Sequence, residues 1–423
     1  MSNATPKSSR DHPHRGALVD ELHARPFPAI SAPGFAWFVA LRPEFRSDRD
    51  RAGEKAQLDR LISTACQTPP PPDATHWTGQ LGPLMLKWES HTEFVTFLVW
   101  GAEESDVQEL AEDILSHAEN LRIASARFRI QVAEGDEPIL ERLRKDHLQD
   151  SLAASRVLDD HAVIAGDFHP DPAGDMRFSV YARPLIGPGR IGRIVQRLCE
   201  IETYRAMAML GLVRAREMVP SLTDAETRLS AEVLRMNDSA GDAETALRTL
   251  LEVSGGLERL AARSNFRMSA TAAYERIVTS RIDALREERF EGRQTFGEFM
   301  IRRFDPAMRT VEATERRLAR LTDRARRAAE LLRTRVEVDL SRQNRVLLES
   351  MDRRADEALR LQHTVEGLSV VAISYYATGL ALYIAAPFGD AVGLGKTALA
   401  ALITPIVVLL TWGALRQVRK RLH

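Results

Sequence analysis

Apolar and polar positions change rhythm twice along the chain. Between residues 35 and 182 short runs with a β-branched and aromatic bias recur: FAWFVAL at 35–41, LMLKWES at 84–90, EFVTFLVW at 93–100, ARFRIQVA at 126–133, AVIAGDF at 162–168 and RFSVYA at 177–182. That bias predicts strands. LMLKWES and EFVTFLVW lie so close that a hairpin turning at His91 and Thr92 follows. Residues 106–120 and 138–152 read as helices between strands. Residues 35–186 are therefore expected to form a cytoplasmic α/β domain on a mainly antiparallel sheet, after an N-terminal segment 1–34. Pro69–Pro72 is read as an extended loop, because proline fixes φ and has no N–H to donate.

After Gly187-Pro188-Gly189 the period becomes helical. Ile191, Ile194, Val195, Leu198 and Ile201 make one stripe, and residues 187–306 are expected to be a helical region broken at Gly255-Gly256. No proline or glycine interrupts residues 307–366, which predicts a long stalk helix. Val311, Thr314, Leu318, Leu321, Ala325, Ala328 and Leu332 keep the alternating three-and-four spacing of a coiled-coil seam. Leu332, Val336, Leu340 and then Leu347, Met351, Ala355 and Leu359 slip to repeated fours, which shifts the seam. A lone helix would leave that seam wet, so a homo-oligomer is expected. Between residues 302 and 360 there are 16 arginines against 11 Asp or Glu. They read as a solvated face knitted by i,i+4 pairs, or as an arginine ring attracting anions or acidic lipid headgroups.

The second change of rhythm is the loss of charge. Residues 367–386 and 397–415 carry none, and each run as a helix crosses roughly 30 Å of hydrocarbon. A transmembrane hairpin over 367–415 follows, and Pro405 marks a kink in its second half. Arg353, Arg354 and Arg360 precede the first run, while Arg416, Arg419, Lys420 and Arg421 lie in a basic tail at 416–423. Against them the connecting loop has Lys396 and Asp390. The positive-inside rule then puts both termini in the cytoplasm of a multi-pass protein of the bacterial inner membrane. Gly395-Lys396-Thr397 in the loop is no phosphate-binding P-loop, since the required glycine at 390 is Asp390 and no buried strand precedes it.

Composition narrows the remaining options. With 44% hydrophobic and 28% charged residues, most of the 423-residue chain is soluble mass. A net charge of −1 gives no general pull toward nucleic acid, and no basic strand interleaved with aromatics suits a single-stranded one. Cys66 and Cys199 are the two cysteines, too few and too far apart for a disulfide framework or a Cys-x-x-Cys site, so a reducing compartment is expected. The polar start MSNATPKSSRDHPHRG lacks the apolar run of a signal peptide.

Candidate chemistry is sparse. His12, His14 and His23, with Asp20 and Glu21, offer imidazole and carboxylate ligands suited to zinc. The same residues also fit the polar face of a short helix ended by Pro26. Around the hairpin, Trp88, Glu89, His91 and Glu93 place a histidine between two carboxylates, either a proton acceptor with raised pKa or a charge-paired exposed turn. Glu200, Glu202 and Arg205 read as an ion-paired helix surface. No Gly-x-Ser-x-Gly, His-Glu-x-x-His or paired nucleophile and base is present. Catalytic and cofactor-binding residues are therefore not assigned.

The segments HPHRGALVDELHARPFP, LKWESHTEF, IVQRLCEIETYRAMAMLGL and the stretch from LLRTRVEVDLSRQNRVLLESM into GLSVVAISYYATGL, in this order, resemble the bacterial membrane-anchored proteins grouped as domain of unknown function 3422. That family brings no chemistry. The layout is also similar to CorA-type divalent cation channels: an α/β domain, a stalk helix entering the first of two C-terminal spans, and a basic tail. That likeness implies five first spans around a pore and a divalent cation as cargo. The Gly-Met-Asn ion-binding motif of those channels is absent from the matching ALYIAAPFGD at 381–390. Ser374, Thr378, Ala381 and Ala385 share one stripe of the first span, and both a narrow pore lining and close helix packing predict such a stripe. The expected fold is α+β: an antiparallel-sheet α/β domain, a long helical stalk and a two-helix membrane hairpin. Three functions fit: an oligomer conducting a small ion, a tethered scaffold or sensor, or a membrane-bound enzyme with an unrecognised site.

Overall fold

A computed structural model describes residues 12, 14, 15, 19, 26–45, 49–65, 67–235, 243–392 and 395–422. The chain divides into two compact units, one of residues 1–239 and 248–328, the other of 240–247 and 329–423.

Among the described residues the first unit is built on nine strands: β1 (Gly34–Arg42), β2 (His76–Leu81), β3 (Leu84–Ser90), β4 (Val95–Gly101), β5 (Leu121–Val132), β6 (Ala153–Val157), β7 (Ala162–Pro170), β8 (Met176–Ala182) and β9 (Glu288–Arg289). They form one sheet in the order β2-β3-β4-β1-β5-β8-β7-β6-β9. Only β5 and β8 pair in parallel, so the mainly antiparallel expectation holds. Its helices are α1 (Arg51–Thr64), α2 (Glu104–Ser116), α3 (Glu137–Asp146), α4 (Pro188–Arg235), most of α5 (Ala243–Leu285), α6 (Phe296–Arg303) and the start of α7 (Asp305–Val392).

Alternation assigns the two faces of the sheet. Leu84, Leu86 and Trp88 of β3, with Val95, Phe97 and Val99 of β4, pack on Leu58 and Ile62 of α1 and on Val107 and Ile114 of α2. Farther along, Val163, Ala165 and Tyr181 pack on Ile139 and Leu143 of α3. The intervening residues, Lys87, Thr96 and Leu98 among them, point to the opposite face, and they too are buried. Helix α4 covers them: its stripe Ile191, Ile194, Val195, Leu198 and Ile201 is at most 2% exposed, and Gln196 accepts a hydrogen bond from Lys87.

Several expectations change. The hairpin turn takes in residues 91–94, wider than His91 and Thr92 alone, because β3 and β4 register at Ser90 and Val95. Strands β2 and β6 and helix α1 lie where no element was expected, β9 interrupts the region expected to be helical, and α3 stops at Asp146 rather than at 152. Gly255-Gly256 does not break α5. Each glycine costs about 1 kcal/mol in a helix interior, but buried Val253 and Leu257 on either side hold the helix in register. The seam residues Val311, Thr314, Leu318, Leu321, Ala325 and Ala328 of α7 are buried within this unit. Arg317 beside them reaches Glu226 of α4 at 2.6 Å. That stretch of seam is covered by its own chain and is no argument for an oligomer.

The second unit contains the remainder of α7 and α8 (Lys396–Leu422). Every residue from 337 to 365 is exposed, including Leu340, Leu347, Met351 and Leu359 of the shifted seam. The end of α7 and α8 are each long and apolar enough to cross a membrane. Gly395-Lys396-Thr397 opens a helix and follows a helix, as the failed P-loop spacing implies.

Helices α4 and α5 are in close contact at Gly211, where an added Cβ would lie 2.2 Å from Thr271 Oγ1 and under 3 Å from two further atoms of that side chain. Threonine in a helix has little χ1 freedom to yield. Gly211→Ala is expected to destabilise the sheet-and-helix unit by about 1–3 kcal/mol, and Thr271→Ala in the same chain to recover most of it. Urea unfolding followed by near-UV circular dichroism reads both, and an unchanged midpoint for Gly211→Ala contradicts the packing.

Candidate functional site

The covered face of the sheet is not filled. A cavity of about 360 Å³ lies between β1, β3 and β4 on one side and α4 and α5 on the other. Its apolar walls include Phe38, Leu98, Phe94 and Tyr204. One rim carries a chain of polar contacts. Glu89 Oε1 stands 3.3 Å from Lys87 Nζ, which donates to Gln196 Oε1 at 3.0 Å. Gln196 Nε2 donates to Glu200 at 2.9 Å, and Glu200 pairs with Arg281 of α5. Lys87 is only 3% exposed, and these partners stand in for water around its ammonium group. Arg197, also lining the cavity, donates to the carbonyl of Ala284 at 2.8 Å. Cys199 is buried in the same wall, and burial pushes its thiol well above the usual range, so it is no ready thiolate.

Buried ion pairs hold the tip of the β3–β4 hairpin beside this cavity. Glu93, whose side chain is 1% exposed, pairs with Arg267 of α5 and accepts a hydrogen bond from Tyr274 Oη at 2.6 Å. Burial, and then the Glu93 carboxylate, raises the Tyr274 phenol above its usual value, so it stays a donor. From the other side Arg49 donates to Glu54 of α1 at 2.8 Å, to Ser90 Oγ at 2.9 Å and to the Phe94 carbonyl at 3.2 Å. His91 stacks on Phe94 with centroids 4.5 Å apart, Phe94 meets Tyr204 edge-on at 6.0 Å, and Tyr204 stacks on Tyr274 at 5.4 Å. The hairpin candidates thus come together, but not as an exposed turn: Trp88 lies in the core of the other face and Glu93 under α5. Of the helix trio, Glu202 is buried and pairs with Arg205 at 2.6 Å, and Glu200 faces the cavity. The trio is ion-paired but is not a surface.

A second polar cluster has the order of a nucleophile relay. Ser179 Oγ of β8 lies 2.9 Å from His147 Nε2, and His147 Nδ1 lies 3.6 Å from Asp167 Oδ2 of β7. That Nδ1 separation exceeds a hydrogen bond. Asp167 instead accepts from the Leu148 N–H at 3.0 Å and from Arg177 at 2.8 Å. Burial alone would raise its pKa, but the His147 ring, the N–H groups of Leu148 and His169 and the Arg177 charge outweigh burial and hold it below the carboxylate range. Ser179 lines neither the cavity above nor the one of about 320 Å³ beside Asp167. The cluster ties β7, β8 and the end of α3 together, with Ser179 and His147 both buried.

The histidine candidates at the N-terminus are only partly placed. His14 N–H donates to His12 Nδ1 at 3.2 Å, with the rings 5.4 Å apart and exposed. His23, Asp20 and Glu21 lie outside the described residues. Among the described residues no group of three or more His, Cys, Asp or Glu side chains is placed to hold a metal. In the second unit, Ser374 of α7 is 5% exposed and donates to Thr411 Oγ1 of α8 at 3.1 Å. Thr378 donates to the Ser374 carbonyl at 2.7 Å, and Ala381 and Ala385 are half-buried on the same side.

Residues 10–422 match the family described as "Protein of unknown function (DUF3422)". No curated protein and no solved structure gives a significant match to the chain.

Replacing Glu93 by Gln leaves Arg267 buried without its counter-charge, next to Arg42, whose pKa is lowered by burial and then by Arg267. Removing one partner of a buried pair costs about 3–5 kcal/mol. Glu93→Gln is expected to lower the unfolding free energy by that order, and Glu93→Gln with Arg267→Met to cost less than the single change. Denaturant unfolding measures both, and a loss below about 0.5 kcal/mol for Glu93→Gln contradicts a stabilising role for the Glu93–Arg267 pair.

Proposed function

Since the chain belongs to DUF3422, a family whose description names no chemistry, we propose its role from geometry. It is a homo-oligomer anchored in the bacterial inner membrane by the hairpin of the α7 end and α8, with both termini in the cytoplasm. It acts as a tethered scaffold or sensor through its sheet-and-helix unit. The observation that carries this reading is the contact of Ser374 with Thr411 of the same chain. In hydrocarbon a hydroxyl has to be satisfied within the protein, and small residues allow helices to approach. Here Ser374 of the small-residue stripe reaches α8, while Tyr375, Tyr376, Leu380 and Ile384 are exposed as lipid-facing residues would be. Arg416 lies over the Trp412 ring at 5.1 Å, an arrangement suited to the interface at the cytoplasmic end. The exposed seam residues Leu340, Leu347, Met351 and Leu359 support a second copy as partner.

A second reading, conduction of a divalent cation as in CorA-type channels, draws on the helical layout and on a groove of about 740 Å³ lined by Ser374, Thr378 and Thr404. The absence of Gly-Met-Asn at 381–390 weighs against it.

The anchor reading predicts that carbonate-washed membranes retain the protein, and that proteoliposomes containing it pass Mg²⁺, Zn²⁺, Na⁺ and K⁺ no faster than empty vesicles. A saturable flux that Thr378→Phe abolishes would establish the channel in its place.

A further inference from the structure

We propose that the cavity between the β1–β3–β4 face and helices α4 and α5 binds a small organic anion: an apolar or aromatic body carrying one phosphate or carboxylate. The inference does not depend on how the chain is anchored, because every lining residue lies in the sheet-and-helix unit.

Size and wall chemistry set the class of ligand. At about 360 Å³ the space falls in the range of small-molecule sites, which pair apolar walls with a few placed polar groups. Phe38, Leu98, Phe94 and Tyr204 supply the apolar wall. The sign of the ligand follows from the charges. Lys87, Arg197 and Arg281 line the cavity against Glu89 and Glu200. Lys87 is matched by Glu89 and Arg281 by Glu200. Arg197 is left over: its hydrogen bond goes to a backbone carbonyl, and among the described residues it forms no ion pair. Burial, with Arg193 and Arg281 close by, outweighs the nearby Glu200 carboxylate and lowers its pKa from the usual guanidinium value. A single anionic group beside Arg197 and Arg281 completes the balance, with a guanidinium fork shaped for phosphate or carboxylate.

The partners of the cationic groups also argue against chemistry at this site. Cys199, the one sulfur in the wall, has its thiol held protonated by burial, and Lys87 is engaged by Gln196 and Glu89. The cavity is suited to holding a ligand between the sheet and the two helices, so occupancy would tie the hairpin to α4 and α5.

Isothermal titration of the full-length protein in lipid nanodiscs with naphthyl phosphate, naphthoate, neutral naphthol and inorganic phosphate tests this. One naphthyl phosphate or naphthoate per chain is expected, at least about tenfold tighter than naphthol and than inorganic phosphate. Arg197→Gln is expected to lose about tenfold or more for the anions and nothing for naphthol. Equal affinity of naphthol and the two anions, no binding of either anion, or anion binding unchanged in a folded Arg197→Gln protein overturns the proposal. Should Arg197→Gln fail to fold, the ratio of anion to naphthol on the unmodified protein decides alone.

Discussion

A polar group that leaves water has to find its partner inside the protein, and that single requirement organises both units of this chain. At the hairpin it is met by side chains of modest size. Ser374 donates to Thr411, and Thr378 turns back to the Ser374 carbonyl. A stripe of small residues admits either a water-filled lining or a close helix neighbour, and the two differ in where the hydroxyl protons go. With the partners lying on the same chain, this contact closes α7 on α8 at Ser374 and Thr411.

In the sheet-and-helix unit the same requirement acts on full charges. One face of the sheet is an ordinary apolar core against α1, α2 and α3. The other carries Lys87 and borders Glu93, both buried, and each charge is answered by residues far along the chain: Gln196 of α4, Arg267 and Tyr274 of α5. Such pairs contribute little net stability against an apolar alternative, yet removing one partner is costly. They therefore fix where α4 and α5 sit, and the cavity is the space that this fixed placement leaves open. Among the described residues Arg197, which lines the cavity, forms no ion pair, and its hydrogen bond goes to the Ala284 carbonyl.

Sequence pattern reached the local elements and stopped at their partners. The strand bias of LMLKWES matches β3, Leu84–Ser90, and the stretch 307–366 that no proline or glycine interrupts is helical, within a helix that continues to Val392. Strand β9 is two residues long, too short to carry any alternation, and the apolar stripe of α1 in RAGEKAQLDRLIST is confined to Leu58, Leu61 and Ile62, a run too short to mark a helix. Lys87 and Glu89 fall on the polar side of an alternating strand, which reads as a wet face; only the fold shows that a helix beginning at Pro188 covers it. Arg197, Glu200 and Arg281 had no local signal, since their meeting depends on how α4 packs against α5. The seam from Val311 to Ala328 was visible as an apolar stripe, but periodicity cannot distinguish a neighbour in the same chain from one in another copy, and here it is the same chain.

The most direct measurement of the central claim is oxidative cross-linking of Ser374→Cys with Thr411→Cys, in a chain whose Cys66 and Cys199 are replaced, carried out in native membranes. The closed hairpin predicts a bond formed within one chain, seen as a shift in monomer mobility and no dimer, with both thiols shielded from a water-soluble maleimide. A dimer linked through these positions, or a cysteine at 374 that the maleimide labels freely from water, would contradict it.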